Sequence, residues 1–115
     1  MHEYSLVAAL IERVAAEAQA HGASRIARVH VRLGELSGVD PSLLSTAYET
    51  FRERTVCDGA LLSLSLSPAV WACPRCDARL ERGQPLRCAA CGVPARLLEG
   101  DELLLERIEM EVPDV

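Results

Sequence analysis

Two constellations in this sequence have the residue types and spacing to bind metal. Cys73 and Cys76 in CPRC, and Cys88 and Cys91 in CAAC, form two C-x2-C knuckles separated by eleven residues. Each knuckle turns two thiolates toward one point, and two knuckles complete the tetrahedral sulfur shell that zinc prefers. The spacer is shorter than the roughly 15 to 20 residues common for this pattern, yet a zinc-ribbon hairpin accommodates it. The second constellation is the terminus itself, MHEYSL. The bulky His2 should leave Met1 and its amine in place, and the first amides of a helix lack intrahelical acceptors. An amine, one or two deprotonated amides and the His2 imidazole make a nearly planar all-nitrogen set, which suits Ni²⁺ or Cu²⁺ better than Zn²⁺. Such a site is exposed and can release its ion. A lone terminal histidine is more often a frayed surface residue, and spacing alone does not overturn that.

Composition narrows the chemistry. A net charge of −5 and a pI near 5.1 argue against a general affinity for nucleic acid, because phosphate binding rests on clustered positive charge. All 12 basic residues are arginine, and five of them (Arg75, Arg79, Arg82, Arg87, Arg96) lie among the cysteine knuckles with only Asp77 and Glu81 opposing them. That local excess offsets the charge of a Zn²⁺ held by four thiolates. Four cysteines also close the zinc shell and leave no position for a catalytic water. A zinc-using enzyme is therefore not expected. A dithiol redox pair would want a single C-x-x-C near a βαβ unit. Cys57 has no partner in sequence and reads as a small semi-buried residue. No stretch reaches the roughly 18 apolar residues of a membrane span, and no basic segment leads into an apolar signal core. A soluble cytoplasmic protein with reduced cysteines is expected.

Five elements must position these groups. Leu6, Val7, Leu10, Ile11, Val14 and Ala18 recur at helical spacing from Ser5 to about Ala20, and Gly22 follows as a stop. RIARVHVRLGEL alternates, with Ala27, Val29, Val31 and Leu33 on one face and Arg28, His30 and Arg32 on the other, a half-buried strand. Asp40 as N-cap and Pro41 at the first position open a second helix with Leu43, Leu44, Ala47, Tyr48 and Phe51 along its stripe. In ALLSLSLS, Leu62, Leu64 and Leu66 alternate with serines until Pro68. In ELLLERIEMEV, Leu104, Ile108, Met110 and Val112 share a face interrupted only by Glu106. His21 suits a helix C-terminus, and His30 should be solvated. Between the last two strands, residues 69–97 hold four of the five cysteines and little apolar content, so an ion must supply cohesion. The fold expected is α+β: a small three-stranded sheet covered by two helices, plus an inserted zinc-ribbon-like lobe.

MHEYSL, RLGELSGVDPSLLSTAYETF, the paired knuckles and GDELLLERIEMEV, taken in order, resemble the HypA family of accessory proteins that insert nickel during [NiFe]-hydrogenase maturation. The resemblance spans nearly the whole chain. It implies a nickel-binding domain over 1–68 and 98–115, with a zinc-binding domain over 69–97. It implies His2 as the essential nickel ligand, backed by the Met1 amine and neighbouring backbone nitrogens and assisted by Glu3. Structural Zn²⁺ would sit on Cys73, Cys76, Cys88 and Cys91, with Ni²⁺ as the transferred cargo. The implied protein is a non-enzymatic nickel metallochaperone, a monomer or weak homodimer. It would work with the GTPase HypB and deliver to the hydrogenase large-subunit precursor, and some family members also serve urease and its accessory proteins. The rival reading is a zinc-ribbon module that contacts nucleic acid or a transcription complex. It requires a basic or aromatic face, and the chain has only four aromatic residues, Tyr4, Tyr48, Phe51 and Trp71.

Overall fold

The computed structural model describes residues 2–113. Along the chain run α1 (His2–His21), β1 (Arg25–Gly34), α2 (Pro41–Phe51), β2 (Leu61–Ser67), β3 (Val70–Ala72), β4 (Arg96–Glu99) and β5 (Leu103–Glu111). β1 is the centre of a three-stranded sheet ordered β2-β1-β5, parallel to β2 and antiparallel to β5. A parallel neighbour needs a crossover, and α2 supplies it. α1 packs over β1 and β5, α2 over β2, and the helices pack on each other. This is the α+β arrangement read from the sequence.

The core lies between helices and sheet. Val7, Leu10, Ile11, Val14 and Ala18 of α1 meet Ile26, Val29, Val31 and Leu33 of β1 and Leu44, Ala47 and Tyr48 of α2. Tyr48 is the one aromatic ring in this buried set, and its hydroxyl donates to the Ala60 carbonyl at 3.0 Å, which satisfies the polar end of an otherwise apolar side chain. The opposite sheet face is polar and charge-paired. Arg32 meets Glu106 at 3.0 Å, Arg25 meets Glu111 at 3.0 Å, and Arg28 donates to Ser63 at 2.6 Å. His30 is not simply solvated: its side chain is 21% exposed, and Nε2 faces both the Glu109 carboxylate and, at 3.2 Å, the Arg107 guanidinium.

Four elements, β5, β1, β2 and α2, depart from the faces their apolar patterns suggest. The β1–β5 register slips between His30 and Val31, so one residue of β5, Glu106, is extra. Such a bulge reverses which face later residues take. Leu103 and Leu105 before it, and Ile108 and Met110 after it, all pack on the core, while Leu104 is 49% exposed and Val112, just beyond the strand, also lies out. A second slip between Ile26 and Arg28 turns Ile26 inward and leaves Ala27 only half-buried. In β2, Leu62 and Leu64 meet the core but Leu66 is 67% exposed at the strand's end. On α2 only Leu44, Ala47 and Tyr48 are buried, and Leu43 and Phe51 lie largely outside. Asp40 caps this helix as expected, accepting from Ser42 N at 2.8 Å and Leu43 N at 3.1 Å. α1 begins at His2, three residues before the apolar pattern does.

Candidate metal centres

After Pro68 the chain leaves the main sheet and builds a lobe on a two-stranded antiparallel ribbon of β3 and β4. The two knuckles within it repeat one backbone design. At the first, Asp77 N donates to Cys73 O at 3.0 Å and Cys73 N to Ala78 O at 2.9 Å. At the second, Gly92 N donates to Cys88 O at 2.8 Å and Cys88 N to Val93 O at 3.0 Å. The fourth residue past each leading cysteine takes the left-handed conformation, Asp77 at φ 61° and Gly92 at φ 69°. Glycine and aspartate are among the residues that tolerate it best.

These turns converge the four sulfurs. The Sγ atoms of Cys73, Cys76, Cys88 and Cys91 all lie within 4.8 Å of one another, and those of Cys76 and Cys88 are 3.8 Å apart. A tetrahedron with Zn–S bonds of about 2.3 Å has edges of about 3.8 Å. Backbone amides also point at the sulfurs, Arg75 N at 3.3 Å from Cys73 Sγ and Cys91 N at 3.4 Å from Cys88 Sγ. The electrostatics agree. The Cys76 and Arg75 amides hold the Cys73 thiol down to about 7, while Cys91, facing the sulfurs of Cys76 and Cys73, is pushed up to about 12. One thiolate forms readily and the last resists, so a divalent cation is what lets all four ionise together. The donor set fits zinc. The surrounding arginines are partly engaged: Arg87 donates to the Gly92 carbonyl, Arg96 lies 3.8 Å from Asp77, and Arg82 pairs with Glu35.

At the other end of the chemistry, His2 is the first residue of α1 and is exposed. Met1 lies outside the described residues. Glu3, half-buried, directs its carboxylate to the backbone N–H of Asp40 at 3.5 Å, and Tyr4 stands edge-to-face on Phe51 with centroids 4.8 Å apart. The start of α1 is therefore braced against both ends of α2. From the sequence Asp40 is only a helix cap and Phe51 only a core residue; in the structure they also receive Glu3 and Tyr4. The available signal was an aromatic pair in an aromatic-poor chain. Cys57 is fully buried beside Tyr48, and burial raises its thiol pKa. It is far more enclosed than a semi-buried position.

Comparison with known proteins places these features in a family. The family described as hydrogenase/urease nickel incorporation, metallochaperone, hypA matches residues 1–110. A hydrogenase maturation factor HypA from Shewanella sp. (strain MR-7) is 44% identical over 116 residues, covering 99% of this chain and 98% of that protein. The solution structure of a HypA protein superposes with a TM-score of 0.81 at 33% identity, covering 98% of each chain. The solution structure of the Ni metallochaperone HypA from Helicobacter pylori gives a TM-score of 0.75 at 32% identity, covering 96% of this chain and 98% of that one. With the family match extending over residues 1–110 and the fold shared with two HypA structures, the chain belongs to the HypA family of hydrogenase and urease nickel-incorporation metallochaperones.

Proposed function

We propose that this chain captures Ni²⁺ at its N-terminus and delivers it to the [NiFe]-hydrogenase large-subunit precursor, with Zn²⁺ held structurally by Cys73, Cys76, Cys88 and Cys91. The nickel ligands are the Met1 amine, backbone nitrogen at His2 and at Glu3, and the His2 imidazole. The observation that carries this reading is the placement of His2: it opens α1 in an exposed position, where the amides have no helical acceptors. The carboxylate of Glu3 is turned to Asp40, so its contribution to the ion is through the backbone. Capture requires amide protons to leave, and release follows when cysteine thiolates of the client replace nitrogen ligands one at a time on an open-faced ion. No substrate bond is broken, so the protein needs no catalytic residue.

Residues 1–68 and 98–115 form the nickel-binding domain and 69–97 the zinc-binding domain in this account. Its partners are the GTPase HypB and the hydrogenase precursor, met in the cytoplasm. The family's description, which names hydrogenase and urease together, supports delivery to either enzyme. The test is calorimetric titration of Ni²⁺ into tagless, zinc-loaded protein beside His2→Ala and a form with one residue added before Met1. Wild type should bind about one nickel and both variants should lose it. Equal binding by all three would remove the terminus from the account.

A further inference from the structure

The two edges of the main sheet are built differently. β5, on one side, carries Glu106, Arg107, Glu109 and Glu111 together with the bulge at Glu106. Charges and bulges are what keep an edge strand from pairing with another chain. β2, on the other side, has neither. Its sequence LLSLSLS contains no charge and no proline, and its register with β1 runs unbroken from Leu61 opposite Arg28 to Ser67 opposite Gly34. Among the described residues, no main-chain hydrogen bond from outside the sheet reaches residues 61–66. Leu61 is 52% exposed and Leu66 67%. An uncovered edge of this kind is a template for another strand.

We propose that β2 is an interface between two copies of this chain, paired antiparallel and edge to edge about a twofold axis at Leu64. The strand is self-complementary in that register. Leu64 meets its own copy, Leu62 meets Leu66 of the second copy, and Ser63 stands opposite Ser65. Leu62 and Leu64 already belong to the core face, so the pairing continues that face from one copy into the next and covers the leucine that a single chain leaves in water. A one-residue slip would instead join the core face of one copy to the polar face of the other. The serines are complementary as donors and acceptors. Ser63 Oγ accepts from Arg28 at 2.6 Å and keeps its hydrogen to give, whereas Ser65 Oγ donates to Glu106 at 3.2 Å and keeps lone pairs to receive. Each Ser63 can therefore donate to Ser65 of the second copy, and the axis makes this bond twice. Because residues 61–67 are all uncharged, two copies of an acidic protein meet here with no like charges directly opposed. β2 holds no residue of either metal constellation. A single seven-residue edge makes a small contact, of the transient class.

The experiment is sedimentation velocity over a concentration series of the full, zinc-loaded chain. Wild type should pass reversibly from monomer to dimer. Ser63→Glu combined with Ser65→Glu places two like-charge pairs across the axis, and Ser63→Lys combined with Ser65→Lys does so with the opposite sign. Each double variant should dimerise about tenfold more weakly or worse. Mixed in equal parts, the two should recover a dimer of one acidic and one basic copy. Leu66→Lys, at a position exposed enough to spare the core, should weaken self-association likewise, so the test survives if a double variant does not fold. A wild type that stays monomeric throughout, variants that associate as wild type does, or a mixture of folded double variants no tighter than its components would overturn the interface.

Discussion

A carboxylate that receives three donors is held in its charged form, and Glu35 illustrates this at the scale of one residue. Arg82 and then the Ala69 amide lower its pKa from the ordinary 4.5 to about 2. A lowered folded value means that the contribution is complete above about 4.5 and is lost as the pH falls through 2. The Glu35–Arg82 pair therefore persists through neutral and mildly acid solution. A carbon-13 titration of the Glu35 carboxyl should show a midpoint near 2, and a midpoint at 4.5 would mean that the pair is open. Cys57 is a residue-scale case of the opposite kind. Full burial and a raised pKa make it inert, so iodoacetamide should modify it in urea and leave it untouched in the native, zinc-loaded protein. The terminus could be read from its residues only as far as a possible donor set, since His2 in isolation looks like any frayed end. Family resemblance, and not spacing, singled it out.

Elements were legible where periodicity was strong and boundaries where caps were explicit. α1, β1, α2 and β2 lie where the apolar pattern and Asp40–Pro41 put them. Alternation left a mark at Glu106, but in the sequence it reads as one charged interruption of a single face. The bulge there instead moves the preceding and following side chains onto opposite phases, so that Leu103 and Leu105 rather than Leu104 share the core face with Ile108 and Met110. Leu66 escaped for a related reason: it stands near the end of an edge strand, where the chain is already leaving the sheet. Leu44, fully buried under α2, is the element's main anchor. Leu44→Ala should cost about 3 kcal/mol in urea unfolding of the domain while leaving zinc bound, because Leu44 belongs to the core cluster and not to the lobe. In the second knuckle, Gly92→Ala forces a Cβ into the left-handed region at φ 69°. It should weaken zinc binding roughly fivefold, about 1 kcal/mol, as measured by competition with a chelator. An unchanged affinity would show that the turn relaxes freely.

The molecule is extended, 58 × 34 × 16 Å, and its described residues form one apolar core and one sulfur cluster. Every residue of the core cluster lies outside the lobe, whose own buried apolar residues among those described are Ala72, Cys73 and Cys88. So little burial cannot order the knuckles, and an ion must supply the cohesion. Stripping zinc with a chelator should abolish the knuckle amide signals yet leave the helical circular dichroism of α1 and α2 intact, whereas loss of both together would mean that the lobe supports the core. The cysteine spacing made this division visible in the sequence. The junction was not visible, because Glu35 and Arg82 are far apart along the chain and nothing local marks them as partners.

The central claim, that nickel sits on nitrogen at the terminus and not on sulfur in the lobe, is tested most directly by nickel K-edge X-ray absorption of the zinc-loaded protein with one equivalent of Ni²⁺. The account predicts a nearly planar shell of nitrogen donors that includes an imidazole, with no sulfur scattering and with zinc still bound by four sulfurs. Nickel–sulfur scattering, accompanied by displaced zinc, would contradict it and move the cargo site to Cys73, Cys76, Cys88 and Cys91.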